Sequence, residues 1–321
     1  MGYWELSIRI GRSHNAAFDV CMRLQVCFKC EASKGNTDMH HAYTDVRDAA
    51  PWRATIWTTL PWRRTEVPEL TGIRGFDVKM LASDLLHTWH LGCGRDLLGS
   101  CIKILVGLRY FPGRSIEKSL GQATIRLRRY AKMHKYSLVL RKLSKQNLAW
   151  SEYPELKCKG YDTFVVLSWL QDELNRHHPT ADDPEVQSKL DMMCTAVWCM
   201  DLWLRMLTHT PMHLTDSQQL QKTVLGNLFM VTYMSLAQQA VVDGKRLWRI
   251  RPKIHILHHC ILEDRPSRLN PHYNSTWMDE DFIKRTMRVK KKTHRRSATN
   301  ATLCRYLLGL AGKLQEAMDQ M

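Results

Sequence analysis

The strongest constraint on the fold of this 321-residue chain is a helical recurrence of apolar residues, which begins near Met80 and continues through most of the sequence. Apolar side chains three and four residues apart cover one face of a helix, and that face must pack against a partner. Helix-start signals at Ser115, at Asp183-Pro184 and at Thr215 divide the recurrence into separate helices. The sequence therefore predicts a mainly α fold, with an all-α body over residues 111–270.

Three other segments flank this body. Residues 1–75 form an irregular segment that contains cysteine and tryptophan, and residues 76–110 form a core segment with a helix break predicted at Gly92-Cys93-Gly94. Residues 271–321 form a basic C-terminal segment, which ends in an amphipathic helix from Thr302 to Met318.

The helix that follows Thr215 has the clearest start signal. Thr215-x-x-Gln218 fits a capping box, in which each side chain bonds the other residue's backbone N–H. Its apolar positions recur at helical spacing and are expected to face the core: Leu220, Val224, Leu228 and Val231. Gly244 is expected to end the helix.

One cysteine pair in the irregular segment has the spacing of metal ligands. Cys27-x-x-Cys30, with His40 ten residues later, could begin a tetrahedral zinc site, because thiolate and imidazole are the ligands that zinc prefers. The alternative interpretation is two ordinary thiols. A second cluster, the run from Ile254 to His259, contains three histidines, and there we favour a buried hydrogen-bonded element over a metal centre.

The net charge of +16 is concentrated in two segments. Residues 103–145 carry +11, residues 284–296 carry +8, and the rest of the chain is slightly acidic. Clustered cations neutralise phosphates, so both segments predict nucleic-acid binding, and KKKTHRR is typical of a nuclear-localisation or nucleic-acid patch. The candidate contacts are Arg126, Arg128, Arg129, Lys132, Lys290, Lys291, Lys292, Arg295 and Arg296. The alternative is a solvated helix face.

The segment Asp84-Leu-Leu-His87 resembles the Asp-x-x-His motif around the second catalytic aspartate of CACTA-like and related cut-and-paste transposases. The run from Arg251 to His258 is similar to a Pro-Lys-x-His-x-Leu-x-His element near the end of such catalytic domains. Glu280 lies where the family places its final glutamate.

This resemblance implies a ribonuclease-H-like α/β core, interrupted by a long helical insertion. It also implies two Mg²⁺ ions held by carboxylates, with Asp84 and Glu280 as ligands and His87 orienting a carboxylate or phosphate. Only Asp19 is placed for the first aspartate, so we expect a truncated core and a DNA-cleaving activity that is degenerate or lost. Without the resemblance, Asp84 is a helix N-cap and Glu280 a first-turn acid.

These patterns support a transposase-derived nucleic-acid-binding protein, located in the nucleus or otherwise in the cytoplasm. Two alternatives stay open: a non-enzymatic basic scaffold that binds nucleic acid or an acidic protein, and a zinc-stabilised N-terminal interaction module. We expect no membrane span, since the uncharged stretch from Thr223 to Val242 contains six polar residues and is typical of a buried helix. Ten scattered cysteines favour a reducing compartment.

Overall fold

The computed structural model describes residues 26–34, 41–58, 72–262, 268–277, 287–288, 291 and 298–319. Among these residues, seven α-helices run in chain order: α1 Gly94–Gly107, α2 Ile116–Met133, α3 Gly160–Arg176, α4 Pro184–Thr208, α5 Asp216–Val242, α6 Pro252–Leu262 and α7 Ala298–Asp319. A π-helical segment, Leu86–Cys93, leads directly into α1. Short 3-10 turns lie at Pro51–Thr55, Val78–Met80 and Pro271–Asn274.

Side-chain caps start the helices where the sequence predicts them. The Ser115 hydroxyl accepts a hydrogen bond from the Lys118 backbone at the start of α2, and Asp183 caps α4 ahead of Pro184. The predicted capping box on α5 is present in both directions. Each cap satisfies backbone N–H groups that have no partner inside the helix.

The predicted break at Gly92-Cys93-Gly94 is a change of helix type. Gly92 has non-helical dihedrals where the π-helical segment meets α1. A β-carbon at Gly92 would lie 2.9 Å from the His87 carbonyl oxygen and 2.7 Å from the Lys253 side chain. Only glycine fits there without displacing its neighbours, and this allows α6 to lie close to the π-helical segment.

One apolar core joins α1 to α6. Its largest fully buried side chains include Trp89 from the π-helical segment, Trp169 from α3, Trp203 from α4 and Phe229 from α5. A second, smaller cluster joins residues 26–56 to Ile256 of α6. The N-terminal segment is therefore anchored on α6.

The prediction of which face of α5 packs against the core is wrong. Leu220, Val224, Leu228 and Val231 are 41–66% exposed. The helix instead buries Leu225, Phe229, Met230, Tyr233, Leu236 and Ala240. Because α5 is apolar on both sides, the hydrophobic pattern alone does not select the buried side, and packing against α4 and α6 selects it.

The mainly helical prediction is confirmed, but a ribonuclease-H-like core is not shown. Within the described ranges the extended pairings are two isolated bridges, Ser33 with Ala42 and His213 with Leu269, and no β-sheet forms. The chain divides into a large unit of residues 2–275 and a small unit from Thr276 to Met321. No helix of the described part is both long enough and apolar enough to cross a bilayer.

Candidate metal centre and basic groove

Two cysteines and two histidines from opposite ends of the large unit meet in its interior. Cys27 and Cys30 lie in the N-terminal segment, where the Lys29 backbone N–H donates to the Cys27 sulfur at 3.3 Å. His255 and His259 are four residues apart on α6, so both rings project from one face of that helix. All four residues are buried, and their ligand atoms lie within 4.8 Å of one another.

The distances match a tetrahedral site. His255 Nε2 lies 3.2 Å from the Cys30 sulfur, and His259 Nε2 lies 3.3 and 3.4 Å from the sulfurs of Cys27 and Cys30. The two Nε2 atoms are 3.1 Å apart. Zinc bond lengths of about 2.3 Å to sulfur and about 2.0 Å to nitrogen place tetrahedral ligands about 3.3–3.8 Å apart. A small outward shift of each ligand accommodates the ion.

The pKa values of the two thiols are shifted in opposite directions. Burial raises the pKa of the Cys27 thiol, but the hydrogen bond with Cys30 and the charge of His259 outweigh it, so its pKa lies well below the usual value. The pKa of Cys30 is raised, first by its hydrogen bond with Cys27 and then by burial. Burial lowers the pKa of His255. The thiolate of Cys27 and the neutral imidazole of His255 are therefore favoured. These are the forms that bind metal.

Aromatic and aliphatic side chains enclose the cluster. The Trp52 ring packs edge-on against His255, His258 and His259, with centroids 4.5–5.3 Å apart. Val26, Ala32, Ala50 and Ile256 complete the surrounding apolar group. A dry shell of this kind keeps water from the ligands, which is typical of a structural metal site rather than a catalytic one.

Half of this ligand set is predictable from the sequence. Cys27 and Cys30, two of the predicted ligands, belong to a cluster that could hold a metal ion. The third predicted ligand, His40, lies outside the described residues. The prediction of a buried, hydrogen-bonded element from Ile254 to His259 is confirmed. Two of its histidines, His255 and His259, also belong to the cluster that could hold a metal ion, which we did not predict from the sequence. The available signal was the His-x-x-x-His spacing, which pairs with Cys-x-x-Cys in zinc sites.

The second candidate site, around Asp84, does not form a carboxylate cluster in the described part of the chain. One Asp84 oxygen accepts from the Leu86 backbone at 2.9 Å, and the other lies 2.5 Å from His87 Nδ1. The Cys-His cluster is the single group of three or more metal-ligating side chains among the described residues. Glu280 lies outside those residues, so its role with Asp84 as an Mg²⁺ ligand remains a prediction.

The basic helix α2 exposes its cations on two sides. Arg126 is half-buried, pairs with Glu173 at 3.0 Å and covers the Phe111 ring. Arg129 is exposed and lines the same hollow as Arg126, together with Asp172 and Glu173. Acids of α3 therefore offset the positive charge on this side.

The other side of α2 borders a groove whose described lining contains no acid. Arg128, Lys132 and Arg141 line this groove of about 320 Å³ with Tyr136 and the aliphatic segment Leu138–Leu140. We call this the α2 groove. Its wall is fixed because the Arg128 guanidinium donates to the Arg141 carbonyl and the Val139 N–H donates to the buried Asp162 carboxylate at 2.9 Å. Arg126, Arg129 and Lys132 are three residues apart, a spacing that predicts one common face on a helix. The structure divides that face, and Lys132 lines the α2 groove.

The second basic segment is described at few positions. Lys291 is exposed. Lys290, Lys292, Arg295 and Arg296 lie outside the described residues, so their nucleic-acid contacts remain a prediction.

Comparisons of the chain with models of protein families, with curated proteins and with solved structures find no match.

Proposed function

We propose that this protein binds nucleic acid through the side of α2 that borders the α2 groove. The observation that carries the proposal is the charge of this region: residues 118–151 contain nine Lys and Arg and no Asp or Glu. Arg128, Lys132, Arg141 and Lys142 are exposed there. Fixed cations on a rigid helix neutralise successive phosphates and release counterions, which gives salt-dependent affinity without sequence readout.

Descent from a cut-and-paste transposase accounts for the remaining features. The Asp84-x-x-His87 motif and the element from Arg251 to His258 support this origin, as does a large helical body of the kind that interrupts those catalytic domains. We propose that strand cleavage is degenerate or lost, because the described residues form two isolated bridges in place of the sheet that carries such a catalytic site. The KKKTHRR run supports a nuclear location.

Zinc is the ion that best suits the Cys-His cluster. Two thiols and two imidazoles in tetrahedral arrangement are typical of zinc, whereas Mg²⁺ prefers oxygen ligands in octahedral geometry. We propose a structural role, in which the ion fastens the N-terminal segment to α6.

Binding is tested with the full chain and a fluorescein-labelled duplex of about 20 base pairs, by anisotropy at several salt concentrations. Affinity should fall as salt rises, and the slope of log K against log salt counts the phosphates contacted. Replacing two groove cations, Lys132→Gln with Arg141→Gln, should reduce that slope by about two.

The matched control is Lys245→Gln with Arg246→Gln. It removes the same charge from exposed residues that follow α5, and the slope should stay at the wild-type value or change far less. Equal losses in both double variants would mean that net charge alone attracts the DNA. Absence of binding to any nucleic acid, with retained binding to an acidic protein, would overturn the proposal in favour of the scaffold alternative.

A further inference from the structure

A row of aromatic rings adjoins the α2 groove. The buried Tyr130 ring supports the exposed His134 ring at a centroid distance of 4.3 Å, and the planes of His134 and Tyr136 differ by 16°. Tyr136 then packs edge-on against Phe164, whose ring lies 6.2 Å from that of Tyr161. The row thus extends from the end of α2 to the start of α3.

This row is held in place from behind and remains accessible from outside. Tyr136 and Phe164 are partly buried and pack against the main core, which fixes their orientation. His134 is exposed, and Tyr161 is 43% exposed. Rigid rings beside a cation cluster are the two components that proteins combine to hold unpaired nucleotides: the cations contact the backbone, and the bases stack on the rings.

The bases of duplex DNA cannot stack on these aromatic rings. Its bases are stacked on one another inside the helix, so their flat faces are hidden, and only phosphates and groove edges reach a protein surface. Unpaired bases present their faces freely. Because Tyr136 lines the groove together with Arg128 and Lys132, a strand whose phosphates contact these cations places its bases near the ring of Tyr136.

We propose that the α2 groove, with Tyr136 and His134 as its stacking surface, is a binding site for single-stranded nucleic acid. This inference rests on the proposed function that this side of α2 binds nucleic acid. It adds that the nucleic acid bound there is single-stranded. Base identity is not read, since every base has a π-face that can stack.

The test compares a labelled single strand of about 15 nucleotides with the duplex of the same sequence, using the full chain and matched salt. We expect tighter binding of the single strand. His134→Ala and Tyr136→Ala should each weaken it about five-fold or more, while Tyr136→Phe, which keeps the ring, retains wild-type affinity. The same variants should weaken duplex binding far less than single-strand binding, because paired bases cannot stack on the rings.

Tyr273→Ala is the matched control, because Tyr273 is a 50% exposed tyrosine on a 3-10 turn far along the chain from the groove. It should affect neither ligand. His134→Ala removes an exposed ring and serves where Tyr136→Ala disturbs folding, which circular dichroism reports. Equal or tighter duplex binding that still depends on Lys132 and Arg141 would overturn this inference and leave the proposed function standing. No binding of either nucleic acid would overturn both.

Discussion

The four side chains of the Cys-His cluster give the sharpest predictions for single substitutions. Cys30→Ser removes a proposed ligand, whose sulfur lies within 3.4 Å of the Nε2 atoms of His255 and His259. Metal analysis of the purified wild-type chain should find about one zinc per molecule, and the Cys30→Ser chain should contain almost none and melt at a lower temperature.

Cys304→Ser is the matched control for this substitution. Cys304 is an exposed cysteine on α7 that belongs to no cluster of ligands in the described residues. It should retain the full zinc content and melting temperature. A wild-type chain purified without zinc, or a Cys30→Ser chain that keeps it, would show that the cluster is only hydrogen-bonded.

A second consequence at the residue scale concerns His90, which is fully buried in the π-helical segment. Burial, with a smaller contribution from nearby His272, lowers its pKa from 6.5 to about 3, against the opposing charge of Asp84. The folded state therefore holds His90 neutral, while the unfolded chain takes up a proton below about pH 6.5. Stability from this group is complete above that pH and is lost as the pH falls toward 3.

The expected loss is about 1.4 kcal/mol per pH unit below about pH 6. The loss is measured by urea unfolding of wild type and His90→Gln at a series of pH values from about 8 to about 5. Taking the difference in unfolding free energy between the two chains cancels the contributions of the other histidines. The stability advantage of wild type should shrink by that amount per unit. A difference that stays constant with pH would mean that His90 takes up its proton equally in the folded and the unfolded chain.

At the scale of elements, substitution should destabilise the protein strongly on the buried side of α5 and very little on its exposed side. Phe229 is fully buried and contacts Trp89 and Tyr233, each with ring centroids 5.5 Å apart. Phe229→Ala should lower the free energy of unfolding by about 3–5 kcal/mol. Val224→Ala on the exposed side should change it by less than about 0.5 kcal/mol. Chemical denaturation of both variants tests the assignment of sides, and a large loss at Val224 would contradict it.

Two glycines in helix interiors give a further contrast between elements. A β-carbon at Gly226 of α5 would meet the Ile261 side chain of α6 at 2.5 Å, whereas one at Gly121 of α2 meets nothing within 4 Å. Gly121→Ala should stabilise the protein by about 0.5–1 kcal/mol because alanine restricts the unfolded chain. Gly226→Ala should destabilise it by separating α5 from α6. The melting temperatures of the two variants test this contrast. A stabilising effect of both substitutions would show that α6 is not held against α5.

At the scale of the whole molecule, metal removal should affect one part of the large unit and spare the rest. The small apolar cluster joins residues 26–56 to α6, while the main core joins α1 to α6 without the N-terminal segment's cysteines. After chelation, amide hydrogen exchange should accelerate at residues 26–58 and along α6. Exchange in α3 and α4 should stay slow. Uniform acceleration over all helices would instead mean that the ion supports the entire fold.

Local structure in this protein follows from the sequence alone. Capping at Ser115, Asp183 and Thr215 depends on a side chain and a backbone group within three residues, so the helix starts could be predicted correctly. The break at Gly92 is equally local. The concentration of positive charge in two segments and the Cys27-x-x-Cys30 half-site are likewise properties of short stretches.

Which of these local features meet depends on how the helices pack. His255 and His259 are more than 220 residues from the cysteines they face, and no local signal pairs positions so distant. The inward side of α5 also depends on its neighbours, since both sides are apolar and packing against α4 and α6 makes the choice. Likewise, the spacing of Arg126, Arg129 and Lys132 predicts one face, but an acid of α3 pairs with the first of them, and a distant backbone carbonyl fixes Arg128 beside the α2 groove. The sequence by itself determines the chemistry of each side chain, whereas the tertiary packing determines which remote segments lie close together.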